Sequence, residues 1–114
     1  MLTKDSPQIF GLKREVIDAM GRVFAAYPEV EEVILYGSRA KGNFKSGSDI
    51  DLCLVGTDLT LPSLLRIDTD LDDLLLPYKI DLSIRHHIDN PELLAHIHRA
   101  GVSFYRRQKD THDH

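Results

Sequence analysis

The sequence predicts a small mixed α/β fold of the α+β kind, a sheet of three to four strands flanked by helices. Three observations point there. Apolar runs of strand length recur at 33–36, 49–55 and 79–84. Stretches with apolar residues at helical spacing lie between them. At 114 residues the chain is one domain, long enough for a core and too short for two.

Taken in order, Ser6 and Pro7 read as the cap and first residue of a helix. Ile9, Leu12, Val16, Met20, Val23, Phe24 and Tyr27 then recur at helical spacing until Pro28 stops it. A first strand over 33–36 ends at Gly37, and 38–41 makes a short helix closed by Gly42. The second strand covers 49–55. Leu61-Pro62 opens a helix with Leu64, Leu65, Ile67, Leu71, Leu74 and Leu75 inward and Arg66, Asp70, Asp72 and Asp73 outward, ended by Pro77. A third strand runs over 79–84. Asn90-Pro91-Glu92 starts a helix that Gly101 stops, and 102–105 adds a short edge strand. The expected core is 9–106, with a frayed tail from 107 to 114.

Composition narrows the function. Fourteen Lys and Arg against eighteen Asp and Glu give a net charge of −4, which argues against DNA binding through phosphate neutralisation. One cysteine, Cys53, rules out an internal disulfide and fits a reducing cytoplasm. No apolar run of membrane-spanning length and no basic-then-apolar N-terminus is present. A cytoplasmic protein with no membrane role is expected.

The chemistry lies in "GSRAKGNFKSGSDIDL", residues 37–52. Aspartate is disfavoured in strands and costly to bury unpaired, yet Asp49 and Asp51 sit among Ile50, Leu52 and Leu54. Alternation puts both acids on one face, with backbones roughly 6.6 Å apart, and the three aliphatics on the other. Ile80-Asp81-Leu82 repeats Ile50-Asp51-Leu52, so if the two strands are neighbours Asp81 joins the acidic face. Three converging carboxylates repel one another unless a cation lies between them. An all-oxygen donor set suits Mg²⁺ or Mn²⁺ better than zinc. Upstream, Gly37 permits a tight turn, and Ser38 offers a hydroxyl and backbone N–H groups where a phosphate could rest. Arg39 and Lys41 add positive charge there, and the polar loop 43–48, ending at Ser48, leads back to the acids.

Gly37-Ser38, ten residues, Asp49-Ile50-Asp51 and a third aspartate on a later strand resemble the nucleotidyltransferase superfamily with a DNA polymerase beta-like palm. The form GSRAKG…SDIDL is most similar to the minimal nucleotidyltransferases, the antitoxin partners in HEPN–MNT toxin–antitoxin pairs. The likeness covers about residues 9 to 106. It implies transfer of AMP from ATP, with Mg²⁺, onto a hydroxyl of a HEPN toxin, a tyrosine by expectation, and a hetero-oligomer with that toxin. Asp49, Asp51 and Asp81 become the catalytic and metal-binding residues. Gly37, Ser38, Arg39, Lys41 and Ser48 become the nucleotide-binding ones. Asp81 would also serve a second ion near the attacking hydroxyl, or take its proton. Lys41 stands where arginine is more usual, which keeps the charge and loses the bidentate fork. Two other functions compete: a binding antitoxin that masks its partner, and nucleotidyl transfer to a small molecule such as an aminoglycoside, for which so short a chain supplies few walls.

The remaining polar residues read as structure. His86 and His87 lie in a polar connection, His96 and His98 cannot share a helical face, and His112 and His114 belong to the tail. Cys53 shares the strand parity of Asp51 and reads as a buried thiol. Asp68, Asp70, Asp72 and Asp73 read either as a solvated helix face or as a dock for a basic partner.

Overall fold

The computed structural model describes residues 9–45 and 47–108. Within them the chain runs α1 (Arg14–Ala25), β1 (Glu32–Tyr36), α2 (Ser38–Lys41), β2 (Ile50–Val55), α3 (Leu61–Asp72), β3 (Ile80–Ile84), α4 (Pro91–Ala100) and β4 (Val102–Arg106), with a 3-10 turn at Arg85–His87. The four strands form one sheet in the order β3-β2-β1-β4. β1 is antiparallel to both β2 and β4, and β2 is parallel to β3. The parallel pair requires a crossover, which α3 supplies. This is the mixed sheet flanked by helices that the sequence predicts.

Period-two alternation decides which face is core. Val33 and Leu35 of β1 and Ile50, Leu52 and Leu54 of β2 are fully buried. They pack with Met20 and Phe24 of α1 and Ile67 and Leu71 of α3 in one cluster. β4 contributes through a bulge: Val33 pairs with Tyr105 and Ile34 with Ser103, leaving Phe104 unpaired. Phe24 thereby meets both aromatics, its ring centroid 6.4 Å from Phe104 and 5.8 Å from Tyr105. The other sheet face carries Tyr36, Asp51 and Cys53, and α4 crosses it beside β1.

Caps fix the helix starts. Thr60 accepts the Ser63 N–H at 3.3 Å to begin α3, and Asn90 accepts those of Glu92 and Leu93 at 2.9 and 3.3 Å to begin α4. Among the described residues no helix is long and apolar enough to cross a membrane.

The structure departs from expectation in several places. The helix α1 begins at Arg14, and Ser6 and Pro7, read as a helix start, lie outside the described residues. Ile9 and Leu12 instead close a tight turn, exchanging backbone hydrogen bonds of 3.1 and 2.9 Å. Leu65 and Leu75, expected inward, are 56% and 88% exposed. α3 stops at Asp72, before Pro77, and Leu75 takes a left-handed φ of 57°, which ends the helical phase. Asp70, expected to face solvent, accepts a hydrogen bond from the Tyr27 hydroxyl. Arg107, expected to fray, is held: its N–H bonds the Glu31 carbonyl and its guanidinium those of Ala25, Tyr27 and Val30. Residues 109–114 lie outside the described ones.

Candidate active site

β1 and β2 pair with Tyr36 opposite Asp51, and β2 and β3 with Asp51 opposite Asp81. Paired residues share a face, so Tyr36, Asp51 and Asp81 form a row across three strands. The next row inward along the strands is Ile34, Cys53 and Ser83. Burial of Ile50, Leu52 and Leu54 against the helices leaves the acids no choice of side. Asp49 stands one residue ahead of β2, exposed, as is Asp81, while Asp51 is partly buried. The structure thus places Asp81 on the side of Asp51, as the repeated Ile-Asp-Leu pattern predicts.

The electrostatics follow. Burial pushes the Asp51 carboxyl above its ordinary value, and the negative charges of Asp81 and Asp49 push it further. Among the described residues no three acidic, imidazole or thiol groups are drawn into a closed metal cage. The donor set nonetheless fits a hard divalent ion: oxygens only, one carboxylate partly desolvated, and two exposed ones in its field. Mg²⁺ or Mn²⁺ meets those terms, and zinc, which favours imidazole and thiolate, does not.

At the end of β1 the chain turns through Gly37, with φ 82°, into α2. Gly42 closes α2 as expected, its N–H bonding the Ser38 carbonyl at 3.0 Å. Ser38 is half-buried at the corner and Lys41 exposed on the last position of the helix, so a hydroxyl and an ammonium are available there.

Two of the expected nucleotide-binding residues are used otherwise. Arg39 is 2% exposed. Its Nη1 donates to the Phe10 carbonyl at 2.8 Å, and its Nε and Nη2 to the Ser48 carbonyl at 3.1 and 3.0 Å. The guanidinium lies between the rings of Phe44 and Tyr78, 5.1 and 5.0 Å from their centroids. The side chain read from the sequence as positive charge beside the phosphates is thus turned into the protein. Ser48 gives its carbonyl to Arg39, and its Oγ accepts the Lys45 N–H at 2.8 Å, closing the loop on itself.

Two further residues border the site: Tyr36, which the sequence does not single out, and His96, which it reads as structure. Tyr36 stands beside Asp51. Burial raises its phenol, the Ser83 hydroxyl opposes that, and Asp51 and Asp81 add to it. His96 of α4 meets the Tyr36 ring edge-on, centroids 6.3 Å apart. Strand parity alone marks Tyr36, because Val33 and Leu35 take the core face. His96 carries no sequence signal, since only the docking of α4 brings it there. Between α4 and the open face of β1 and β4 lies a cavity of about 590 Å³, bordered by Ile34, Leu94, Ile97 and the Glu32–Arg106 ion pair.

The same fold occurs in known complexes. A chain of a toxin–antitoxin complex with AMP-PNP superposes with a TM-score of 0.66 at 19% identity, over 81% of this chain and 74% of that one. A chain of the Shewanella oneidensis complex of a tri-AMPylated HEPN toxin with its MNT antitoxin gives 0.62 at 16% identity, over 82% and 72%. A chain of the MntA–HepT toxin–antitoxin complex gives 0.61 at 15%, over 83% and 74%. At these identities the likeness shows the fold. No curated protein matches the sequence. The family model described as "Polymerase beta, Nucleotidyltransferase" matches residues 19–110, most of the chain. On that match, with the acid row and the glycine–serine corner in place, the chain belongs to the polymerase beta nucleotidyltransferase family.

Proposed function

We propose that this protein transfers AMP from ATP to a hydroxyl, by preference a tyrosine, of a HEPN-type toxin encoded beside it, and so acts as its antitoxin. The observation that carries the reading is the register of Asp51 with Asp81, with Gly37 of the glycine–serine corner against the Asp51 carboxylate and Asp49 close enough for its charge to act on it. Two of the similar structures support the substrate and the partner: one holds AMP-PNP in a toxin–antitoxin complex, and another holds a tri-AMPylated HEPN toxin beside an MNT antitoxin.

Asp49, Asp51 and Asp81 would hold Mg²⁺ or Mn²⁺. When bound, the ion supplies charge neutralisation for the triphosphate and the departing pyrophosphate. The chain's own groups do the rest by positioning. Gly37, lacking a side chain, keeps the corner open next to Asp51. Ser38 donates its hydroxyl, and Lys41 its ammonium, to the β- and γ-phosphates. The acceptor hydroxyl attacks the α-phosphorus, a new O–P bond forms, and the bond to the β-phosphate oxygen breaks. Asp81, exposed at the rim of the row, takes the proton that the hydroxyl loses.

Incubation with α-labelled ATP, Mg²⁺ and the product of the neighbouring gene tests this. Label on the partner, abolished by Asp49→Asn and Asp51→Asn with the fold retained, is the expected result. A stable complex without label, or unchanged labelling by either variant, would overturn it.

A further inference from the structure

We propose that Arg39 is a positioning residue, a buried latch that holds the backbone ahead of Asp49 so that the acids stand in place beside the glycine–serine corner. The inference rests on the reading of those acids as metal ligands.

Among the described residues Arg39 is the largest fully buried side chain. A buried charge is costly unless it is paired and hydrogen-bonded, and none of the described carboxylates pairs with this one. Its partners are two backbone carbonyls and two aromatic faces. A charge kept under such conditions makes a geometric specification that an apolar residue of equal volume does not.

The specification concerns Asp49. That residue lies outside β2 and has no strand partner. On its far side, the Ile50 N–H bonds the Lys79 carbonyl at 2.9 Å. On its near side, the Ser48 carbonyl takes two N–H groups of Arg39. The Asp49 backbone is therefore pinned from both flanks, and Arg39 supplies one of the pins. Arg39 itself rides on α2, one residue past Ser38. A single planar group thus sets the distance between the phosphate corner and the first acid.

The turn at 9–12 completes the latch. The Phe10 carbonyl takes Nη1, and a Cβ on Gly11 would overlap the Phe44 ring and come 3.0 Å from Nη1. That turn has no room for a side chain because it lies against the Phe44 ring, over which the guanidinium also sits. Lysine cannot replace the group, since one ammonium does not span two carbonyls in a plane between two rings.

Arg39→Lys and Arg39→Met test the proposal, the second keeping an apolar stem between the rings while removing every donor. Arg107→Ala is the control, because it severs guanidinium–carbonyl bonds of the same kind on the other side of the fold. Mn²⁺ binding by the protein alone is followed by electron paramagnetic resonance, and folding by thermal melting. The expected result is Mn²⁺ affinity about tenfold weaker in whichever Arg39 variant melts cooperatively, as for loss of a group that orients metal ligands. Arg107→Ala lowers the Tm and leaves Mn²⁺ affinity unchanged. In the transfer assay, the Mg²⁺ needed for half-maximal rate rises by about the same factor, and kcat recovers to within about twofold at saturating Mg²⁺. Wild-type Mn²⁺ affinity in a folded Arg39 variant, or equal weakening in Arg107→Ala, overturns the proposal alone. A wild-type protein that fails to bind Mn²⁺ overturns the underlying reading as well, and needs no substitution to reveal it.

Discussion

A Cβ placed on Gly37 would lie 2.5 Å from Oδ2 of Asp51, so the corner and the central acid are built directly against each other. Glycine is needed twice at this position, for its φ of 82° and for the space the carboxylate occupies. Gly37→Ala should therefore cost about 1–3 kcal/mol in urea unfolding. It should also lower transfer about 100-fold by displacing Asp51. Steady-state rates with labelled ATP alongside urea curves separate the two effects. Full activity with unchanged stability would contradict the packing.

Asp51 carries a linkage consequence. Its folded pKa is raised by burial and by Asp81 and Asp49, so the native state binds its proton more tightly than the unfolded chain does. The metal-free protein thus loses stability as pH rises through the carboxylate range, and the deficit persists at neutral pH. Asp51→Asn removes that charge and should raise the Tm of the metal-free protein at neutral pH by about 2 °C. Mg²⁺ should raise the Tm of the wild type and much less that of the variant, in the same melting experiment. A variant less stable than wild type in chelator would show that the carboxylate is favourably solvated.

Phe24 joins α1 to the bulged strand, its ring touching both Phe104 and Tyr105. Truncation leaves a cavity between helix and sheet. Phe24→Ala should cost about 3–5 kcal/mol, enough to unfold much of the population, and Phe24→Leu about 1 kcal/mol. Denaturant titration followed by circular dichroism gives both values. A loss below 1 kcal/mol for the alanine variant would argue against a shared core.

Leu75 is 88% exposed and adopts φ 57°, a conformation that suits asparagine or glycine after a helix. Nothing in its side chain is buried to offset the strain. Leu75→Asn should stabilise the protein by about 0.5–1 kcal/mol. A shift of the urea midpoint to higher concentration, with unchanged transfer, is the expected result.

Much of the fold was legible because strand alternation and helix caps both leave marks in residue order. Asp51 and Asp81 could be matched from Ile50-Asp51-Leu52 and Ile80-Asp81-Leu82 because parallel strands in register preserve the pattern. The helix start was misread at residues 9–12, where Ile9 and Leu12 mimic helical spacing while Phe10 and Gly11 take left-handed φ. The α3 leucines misled for a related reason: Leu65 falls beside a buried face narrower than the apolar stripe, and Leu75 lies past the helix end. Arg39 is buried against expectation. A basic residue in a phosphate motif suggests an anion ligand, and only tertiary packing brings the Phe10 and Ser48 carbonyls around it. Tyr36 and His96 meet through the docking of α4, a contact with no local signature.

The most direct test is a crystal structure with Mn²⁺ and a non-hydrolysable ATP analogue, read by anomalous scattering. The account predicts manganese about 2.2 Å from carboxylate oxygens of Asp49 and Asp51, with Asp81 turned to the same site and the triphosphate against Ser38 and Lys41. Manganese bound elsewhere, or Asp81 directed away from it, would contradict the account.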